Sequence, residues 1–247
     1  MIFLKSPSEI GIIEANGAIL SECFELAARI IKAGITRGEI DQAIEDTIIA
    51  RGAKPSFKGF HGFPAATCIS INEEVVHGIP DNRAVAEGDI VGIDIGAYKN
   101  GYHADAARTF PVGEISPEAK KLLQVTREAL DTGIARAVVG NRLSDISHAV
   151  ESHVLQNGFS VVKTLVGHGI GQEMHEQPQV PNFGPPGQGP LIEEGLVIAI
   201  EPMVNVGGSD VFTLADGWTV VTVDHLLSAH FEETVAVTKD GPKILTH

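Results

Sequence analysis

Residues 89–110 read DIVGIDIGAYKNGYHADAARTF, and this stretch predicts a β-hairpin. Its first part, residues 89–97, is rich in β-branched side chains, which favour a strand. The Asn100-Gly101 pair that follows is the strongest short-range signal for a two-residue hairpin turn. Residues 102–110 would then return as the second strand. The chain is therefore expected to contain an antiparallel sheet built outward from this hairpin.

Each strand of this hairpin carries one aspartate. Asp94 lies between Ile93 and Ile95, and Asp105 follows the turn. If the strands pair around the turn, the two carboxylates come close together in apolar surroundings. A buried, unpaired carboxylate costs several kcal/mol, so the pair needs a cation, a proton or hydrogen bonds. A capped turn, a single ion pair and a metal site all remain open for the hairpin alone.

A glycine-flanked histidine marks a second candidate site. His168 stands in Gly167-His168-Gly169-Ile170-Gly171, where the glycines leave its ring accessible and allow close backbone approach. A hydrogen-bonded core histidine is the alternative. A phosphate loop is disfavoured, because the glycines do not follow the G-x-G-x-x-G spacing and no Gly-Lys-Ser/Thr follows.

Glutamates end or occupy two later strand-like runs. Glu201 follows an apolar run and precedes Pro202, which stops further ladder hydrogen bonding. Glu232 and Glu233 are adjacent in a later run, and strand side chains alternate, so the two point to opposite faces. One of them is expected to face inward.

Five of these residues together form a chemically balanced set. Four carboxylates and one imidazole suit hard or borderline divalent cations, and two such ions cancel four negative charges. The candidate ligands are Asp94, Asp105, His168, Glu201 and Glu232.

The order of the predicted elements repeats once along the chain. Helices are expected from Ser6 to about Ile30, from Thr36 to Arg51, from Ser116 to about Val139 and from Ser144 to Leu155. Further strands are predicted at residues 67–72, 161–166, 196–204, 218–223 and 230–237. Each half reads helix, helix, antiparallel strands, so we expect an α+β fold of one domain, 1–247, with internal halves of about 1–113 and 114–247.

The bulk composition narrows the class of protein. The 247 residues carry a net charge of −14, which disfavours direct contact with nucleic acid or anionic membranes. The two cysteines, Cys23 and Cys68, share no motif, so a reducing compartment fits better than a disulfide scaffold. No signal peptide or transmembrane run is expected, and the cytoplasm is the predicted location.

In addition, the ordered motifs resemble those of type I methionine aminopeptidases over essentially the whole chain. The matching segments are Phe60–Pro64, Cys68–Glu73, His77–Pro80, Ile93-Asp94, Gly101–Asp105, Gly167–Gly171, His175-Glu176, Pro178–Val180, Glu201–Met203 and Phe231-Glu232. The resemblance implies the pita-bread fold, with two pseudo-symmetric halves, an antiparallel sheet and outer helices. It also implies that the five ligands above hold two divalent metal ions (Fe²⁺, Mn²⁺, Co²⁺ or Zn²⁺).

The activity implied by this resemblance is removal of the initiator methionine, with preference for a small second residue. Glu201 is then the expected general base, and His77 and His175 correspond to the family histidines that contact substrate. An apolar pocket for methionine is expected from Phe57, Phe60, Phe63, Cys68, Met174 and Trp218. Plain core packing is an alternative for each aromatic residue, and a nucleophile is the alternative for Cys68. The chain departs from the usual family pattern at Glu233, Ala104, Phe57, Phe60, Phe63 and Met174.

Two rival functions are compatible with the same fold. Prolidase-like enzymes usually carry an additional N-terminal domain, for which this chain leaves no room. Non-catalytic binding proteins of this fold have typically lost ligands, whereas all five are present here. The expected partners are the N-termini of nascent polypeptides, met at the ribosome, and the expected oligomeric state is a monomer.

Overall fold

The computed structural model describes residues 1–246. Three of the four α-helices begin directly after a serine or threonine, and Thr36 illustrates the pattern, since its Oγ1 accepts a hydrogen bond from the Glu39 backbone (3.1 Å). The helices are α1 (Pro7–Ile30), α2 (Arg37–Ala50), α3 (Pro117–Ile134) and α4 (Leu143–Gln156). None of the helices in this described part has the length and hydropathy of a membrane span.

Fifteen strands complete the described part of the chain. They are β1 (Lys54–Pro55), β2 (Thr67–Ile71), β3 (Glu74–Val76), β4 (Ile90–Lys99), β5 (Tyr102–Pro111), β6 (Ser160–Val161), β7 (Gly167–Gly169), β8 (Glu176–Val180), β9 (Val197–Ile200), β10 (Met203–Asn205), β11 (Val211–Thr213), β12 (Val220–Thr222), β13 (Ser228–His230), β14 (Glu232–Thr238) and β15 (Gly241–Ile244).

One large antiparallel sheet unites strands from both parts of the sequence. Its order is β1-β4-β5-β14-β9-β7-β8, with β2 also paired to β4 and β15 to β14. Strands β5 and β14 meet at the centre of this sheet. Two three-stranded sheets, β13-β10-β6 and β11-β12-β3, lie outside it.

Helices cover the large sheet and bury its apolar face. Residues of α1 and α2, among them Leu20, Phe24 and Ile44, belong to one core with Ile93 and Ile95 of β4. Residues of α3 and α4 build the second and third cores with strands from the later part of the chain. Because these cores hold the sheet rigid, the polar side chains of its other face are fixed relative to one another.

The hairpin forms where the sequence predicts it. Asn100 (φ 54°) and Gly101 (φ 87°) both adopt the left-handed region that a type I′ turn requires. Strands β4 and β5 pair continuously from Lys99 opposite Tyr102 to Ile90 opposite Pro111.

Several later strand predictions were wrong in extent. The run 161–166 contributes only its first residue to a strand, and the run 196–204 is two strands interrupted at Glu201-Pro202. The run 218–223 begins at Val220, so Trp218 lies in the preceding loop. The third helix ends at Ile134, not near Val139. The next residues form isolated turns, in which the Arg136 and Ala137 N–H groups donate to the carbonyl oxygens three residues earlier. These short strands depend on partners distant in sequence, so local patterning does not define their ends.

Candidate metal centre and substrate pocket

Two rows of side chains cross one face of the large sheet. In the first row, Cys68 of β2 lies opposite Asp94 of β4, which lies opposite Ala107 of β5, and Ala107 in turn lies opposite Glu232 of β14. Cross-strand partners project from the same face. The small side chain of Ala107 therefore leaves open space between the carboxylates of Asp94 and Glu232.

The second row crosses strands β7, β9 and β14 of the large sheet. His168 of β7 lies opposite Ala199 of β9, which lies opposite Thr234 of β14. The Thr234 hydroxyl donates a hydrogen bond to the Asp105 carbonyl oxygen (2.7 Å) and accepts one from the Asp105 backbone N–H (3.1 Å). These bonds join β14 to β5 and fix Asp105 beside Glu232.

The imidazole of His168 is held in the tautomer that suits a metal ligand. Its Nδ1 lies 2.9 Å from the Gly169 carbonyl oxygen, which can only accept, so Nδ1 carries the hydrogen. The free lone pair of Nε2 then faces Asp105 Oδ2 (3.9 Å) and Glu201 Oε1 (3.7 Å). Burial, with His175 nearby, lowers the pKa of His168 to about 4, so the ring is neutral at pH 7.

The carboxylates repel one another in this arrangement. Burial raises the pKa of Asp105 to about 7. Burial is also the main reason why the pKa values of Asp94, Glu201 and Glu232 lie well above their usual range, and the nearby Asp105 carboxylate raises all three further. A bound cation reverses this situation, since it favours the charged form of each group.

The donor set fits divalent cations. Asp94 Oδ1, Asp105 Oδ1 and Glu232 Oε1 are buried and have no hydrogen-bond partner within residues 1–246. In that part of the chain, no lysine or arginine nitrogen lies within 4.0 Å of these carboxylates. Ligand atoms of Asp105, His168 and Glu232 lie within 4.8 Å of one another. Buried oxygens without a donor, beside one imidazole nitrogen, are the ligands that such ions take.

The neighbouring Glu233 serves a different purpose on the opposite face. Its carboxylate accepts hydrogen bonds from Arg127 Nη1 of α3 (3.1 Å) and from Thr246 Oγ1 (2.6 Å), and Arg108 Nη2 lies 3.8 Å away. Of the two glutamates only Glu232 lines the cavity, although both are buried, and among residues 1–246 only Glu233 has arginine partners.

An apolar pocket opens beside the acidic cluster. A cavity of about 260 Å³ is lined by all thirteen residues singled out from the sequence as ligands, catalytic residues or pocket residues, and by His61 in addition. Phe57, Phe63, Cys68 and Met174 pack together at its apolar end, with Phe60 and Trp218 against them. The rings of Phe63 and Trp218 meet edge to face, with centroids 5.1 Å apart. Aromatic and thioether groups of this kind complement a flexible apolar side chain.

Two neutral histidines line the cavity together with the acidic cluster. His77 takes a left-handed conformation (φ 59°). The next residue, Gly78, approaches Ile69 so closely that a Cβ there would lie 2.2 Å from the Ile69 carbonyl oxygen. His175 lies exposed at the rim, with its ring centroid 4.3 Å from that of His168. Desolvation lowers the pKa of both histidines, so each imidazole is uncharged at pH 7. An uncharged imidazole can both donate a hydrogen bond to a substrate and accept one from it.

Two histidines near this site were missed from the sequence. His61 lies at the cavity rim, with its ring centroid 4.4 Å from that of Phe60. His230 is only 4% exposed, and its Nε2 lies 3.9 Å from both Glu201 Oε2 and Glu232 Oε2. Strand alternation was the available signal, since residues two apart share a face and His230 precedes Glu232 by two.

A second cavity continues from the first. It has a volume of about 430 Å³ and shares His77, His168, His175 and Glu201 with the apolar pocket. Its remaining lining includes Gln177, Gln179 and Met203. Glu201 and His168 of the acidic cluster therefore lie where an apolar cavity meets a more polar one.

The family of the chain follows from comparison with known proteins. Residues 11–239 match metallopeptidase family M24. The chain is 54% identical over 246 residues to a methionine aminopeptidase of Clostridium perfringens, covering 100% of this chain and 99% of the relative. It is 53% identical over 246 residues to methionine aminopeptidase 1 of Bacillus subtilis, with the same coverage. The chain belongs to metallopeptidase family M24, a family of metal-dependent hydrolases.

Solved structures agree with this assignment and confirm the expected pita-bread fold. A methionine aminopeptidase from Rickettsia prowazekii superposes with a TM-score of 0.99 at 36% identity, covering 100% of both chains. A methionine aminopeptidase from Thermotoga maritima gives 0.98 at 43% identity, covering 100% of this chain and 99% of that one. A prolidase from Pyrococcus horikoshii gives 0.81 at 26% identity, and the match covers 99% of this chain but only 63% of the prolidase.

Proposed function

We propose that this chain removes the initiator methionine from nascent polypeptides by metal-dependent hydrolysis, with a preference for a small second residue. The proposal rests on one observation. Buried carboxylates without lysine or arginine partners among residues 1–246 line the same cavity of about 260 Å³ as a set of apolar side chains. The full-length similarity to methionine aminopeptidases supports the same activity.

We infer that two divalent ions bind at this junction, drawn from Fe²⁺, Mn²⁺, Co²⁺ and Zn²⁺. Asp94, Asp105, His168, Glu201 and Glu232 would hold them, and their four negative charges match two such ions. When bound, divalent ions polarise a carbonyl oxygen and lower the pKa of water, so that hydroxide forms near neutral pH.

Glu201 is the proposed general base. Its carboxylate lines both cavities, so it faces the point where the scissile bond would lie. It would take a proton from the attacking water as the water oxygen bonds to the first carbonyl carbon. The same carboxyl group would return that proton to the amide nitrogen as the C–N bond breaks, which releases the shortened chain as an amine.

The two neutral histidines are proposed to orient the peptide bond. His77 and His175 line both cavities, beside the acidic cluster. Neutral imidazoles can donate a hydrogen bond to the carbonyl oxygen as negative charge develops on it and accept one from the amide N–H. The hydrogen bond to the carbonyl oxygen strengthens during the reaction and so favours the transition state over the ground state.

Substrate selection follows from the two cavities. The methionine side chain would occupy the apolar pocket of Phe57, Phe60, Phe63, Cys68, Met174 and Trp218. The chain beyond the scissile bond would leave through the second cavity, where Met203 and the histidines crowd the first position. Crowding at that position would favour small second residues.

We also propose a domain organisation and binding partners for the chain. We propose that residues 1–247 act as one catalytic domain, with halves of about 1–113 and 114–247 that meet where β5 pairs with β14. Asp94 and Asp105 would come from the first half, and His168, Glu201 and Glu232 from the second. The expected partners are the N-termini of nascent chains at the ribosome, with a cytoplasmic monomer as the working form and no contact with nucleic acid or membrane.

Peptide hydrolysis after metal removal tests the proposal. The chain would be stripped with EDTA, supplied with Mn²⁺ in steps, and assayed on Met-Ala-Ser and on Ala-Pro-Ser. Methionine should be released only after metal is returned, and the proline peptide should stay intact. Asp94→Asn should lose activity, whereas the matched surface variant Asp240→Asn should keep it. Faster cleavage of Ala-Pro-Ser would instead support a proline-specific enzyme, and activity without metal would exclude both.

A further inference from the structure

His230 is a buried imidazole for which the proposed reaction has no use so far. Its ring lies next to the acidic cluster, with Nε2 buried and without a hydrogen-bond partner among residues 1–246. A neutral imidazole carries one N–H, and leaving such a donor unpaired in the interior costs about 1–3 kcal/mol. The polar atoms nearest to Nε2 are carboxylate oxygens of Glu201 and Glu232, which accept hydrogen bonds, so the N–H is assigned to Nε2.

The backbone of His230 is held on both sides, which fixes the direction of its Cα–Cβ bond. The Thr109 hydroxyl accepts a hydrogen bond from the His230 backbone N–H (3.0 Å) and donates one to the His230 carbonyl oxygen (2.8 Å). On its other side, His230 pairs with Met203 of β10. Because both edges of the residue are held, the ring cannot turn away from the carboxylates by a backbone shift.

The nearest acceptors are the two glutamates of the cluster. The carboxylate of Glu201 lies between two imidazoles, with Oε1 3.7 Å from His168 Nε2 and Oε2 3.9 Å from His230 Nε2. The same His230 nitrogen is 3.9 Å from Glu232 Oε2. His168, not His230, shares the cluster of ligand atoms that lie within 4.8 Å of one another. The two histidines thus face different oxygens of the Glu201 carboxylate, and only His168 belongs to that cluster.

We propose that His230 is a positioning residue, whose Nε2–H holds the outer oxygens of Glu201 and Glu232 in the orientation that binds cations and accepts a proton. This role rests on the function proposed above. Ligating carboxylates are commonly held by such outer hydrogen bonds, and loss of one typically costs about 10–100-fold in metal affinity or activity.

A matched pair of variants tests the donor directly. His230→Gln and His230→Met have similar unbranched shapes, but only glutamine offers an N–H near the position of Nε2. His230→Asn provides a third variant, since its amide is polar but too short to reach that position. The exposed His148 of α4 supplies the control, His148→Leu. Metal-free proteins would be titrated with Mn²⁺ by calorimetry, and kcat and KM would be measured on Met-Ala-Ser.

The methionine and asparagine variants should bind Mn²⁺ about tenfold or more weakly and show a matching loss of kcat, with KM little changed. Glutamine should restore both quantities to within about threefold of the original protein, a rescue that simple packing would not give. Wild-type affinity and kcat in His230→Met would overturn the proposal. A folded His230→Gln as weak as His230→Met would also overturn it, because it would indicate ligation or packing by the ring. The Mn²⁺ titration remains informative if Met-Ala-Ser is not a substrate. Failure of the proposed role of His230 can therefore be distinguished from failure of the proposed function.

Discussion

The ammonium group of Lys5 and the carboxylate of Glu176 form a buried ion pair one residue away from His175. Their side chains are only 5% and 7% exposed. Gly171 makes the contact possible, because a Cβ at this position would lie 2.5 Å from both Lys5 Cε and Glu176 Oε1. The N-terminal segment is thereby joined to the loop that presents His175 at the cavity rim.

Replacing Lys5 by methionine should destabilise the protein by about 3–5 kcal/mol, because the buried Glu176 carboxylate would lose its countercharge. Urea unfolding measures this loss. The double variant Lys5→Met/Glu176→Gln should be more stable than Lys5→Met alone, since it removes the unpaired charge as well.

The exposed ion pair between Lys243 and Glu14 offers a control for this measurement. Lys243→Met should change the free energy of unfolding by about 1 kcal/mol or less, as is usual for exposed pairs. Equal losses in Lys5→Met and Lys243→Met would contradict the importance of burial.

Local patterns in the sequence were sufficient for the hairpin and the helix starts. The Asn100-Gly101 turn sets the register of β4 and β5, and that register alone places Asp94 and Asp105 on one face. Capping boxes at Ser6 and Thr36 likewise predict where α1 and α2 begin. In each case the deciding interaction joins residues close in sequence.

Local patterns were insufficient where pairing depends on distant strands. Strand β7 has only three residues, two of them glycine, and it exists because β8 and β9 pair with it. The strand predicted over residues 161–166 does not form beyond Val161, since within residues 1–246 the pairing with β10 ends there. The proximity of His230 to Glu201 was also hidden, because it arises only when β13 pairs with β10.

Changing Glu201 to glutamine should remove most turnover without unfolding the protein. The amide keeps the shape of the side chain but cannot accept the proton of water, and general-base catalysis typically contributes about 10²–10⁴-fold. Turnover of Met-Ala-Ser in the presence of saturating Mn²⁺ measures the effect, and circular dichroism checks the fold. The exposed Glu194→Gln is the matched control. Turnover near the original level in Glu201→Gln would refute the assignment of the base.

The metal-free protein should lose stability as the pH rises from about 4 to about 7. Burial raises the pKa of Asp105 from 3.8 to about 7, so the folded state holds a proton that the unfolded state has already released. The stabilisation from this group is complete below pH 3.8 and disappears as the pH passes through 7. Urea unfolding in EDTA at several pH values measures this decline.

Asp105→Asn separates this effect from that of the histidines. His168 has a lowered pKa, which acts in the opposite sense as the pH falls below 6.5, but it is present in both proteins. The metal-free variant should therefore show a shallower decline between pH 4 and 7 than the original protein. Saturating Mn²⁺ should abolish the decline in the original protein, since cations bind the charged carboxylates. Parallel profiles for the two metal-free proteins would mean that Asp105 ionises normally in the fold.

Cleavage rates of peptides that differ in their N-terminal residue should show how apolar the substrate pocket is. Its apolar end consists of Phe57, Phe63, Cys68 and Met174, with Phe60 and Trp218 against them, and none of these side chains has a hydroxyl. Norleucine-Ala-Ser should be cleaved with a kcat/KM within about tenfold of Met-Ala-Ser, because both side chains are flexible and apolar. The methionine sulfoxide peptide should be cleaved at least about tenfold more slowly, since burial of an unpaired S=O oxygen costs about 1–3 kcal/mol. The variant Phe63→Tyr would add a hydroxyl to the pocket and should narrow the gap between the two peptides. Equal rates on methionine and its sulfoxide in the original protein would mean that the side chain binds outside this pocket.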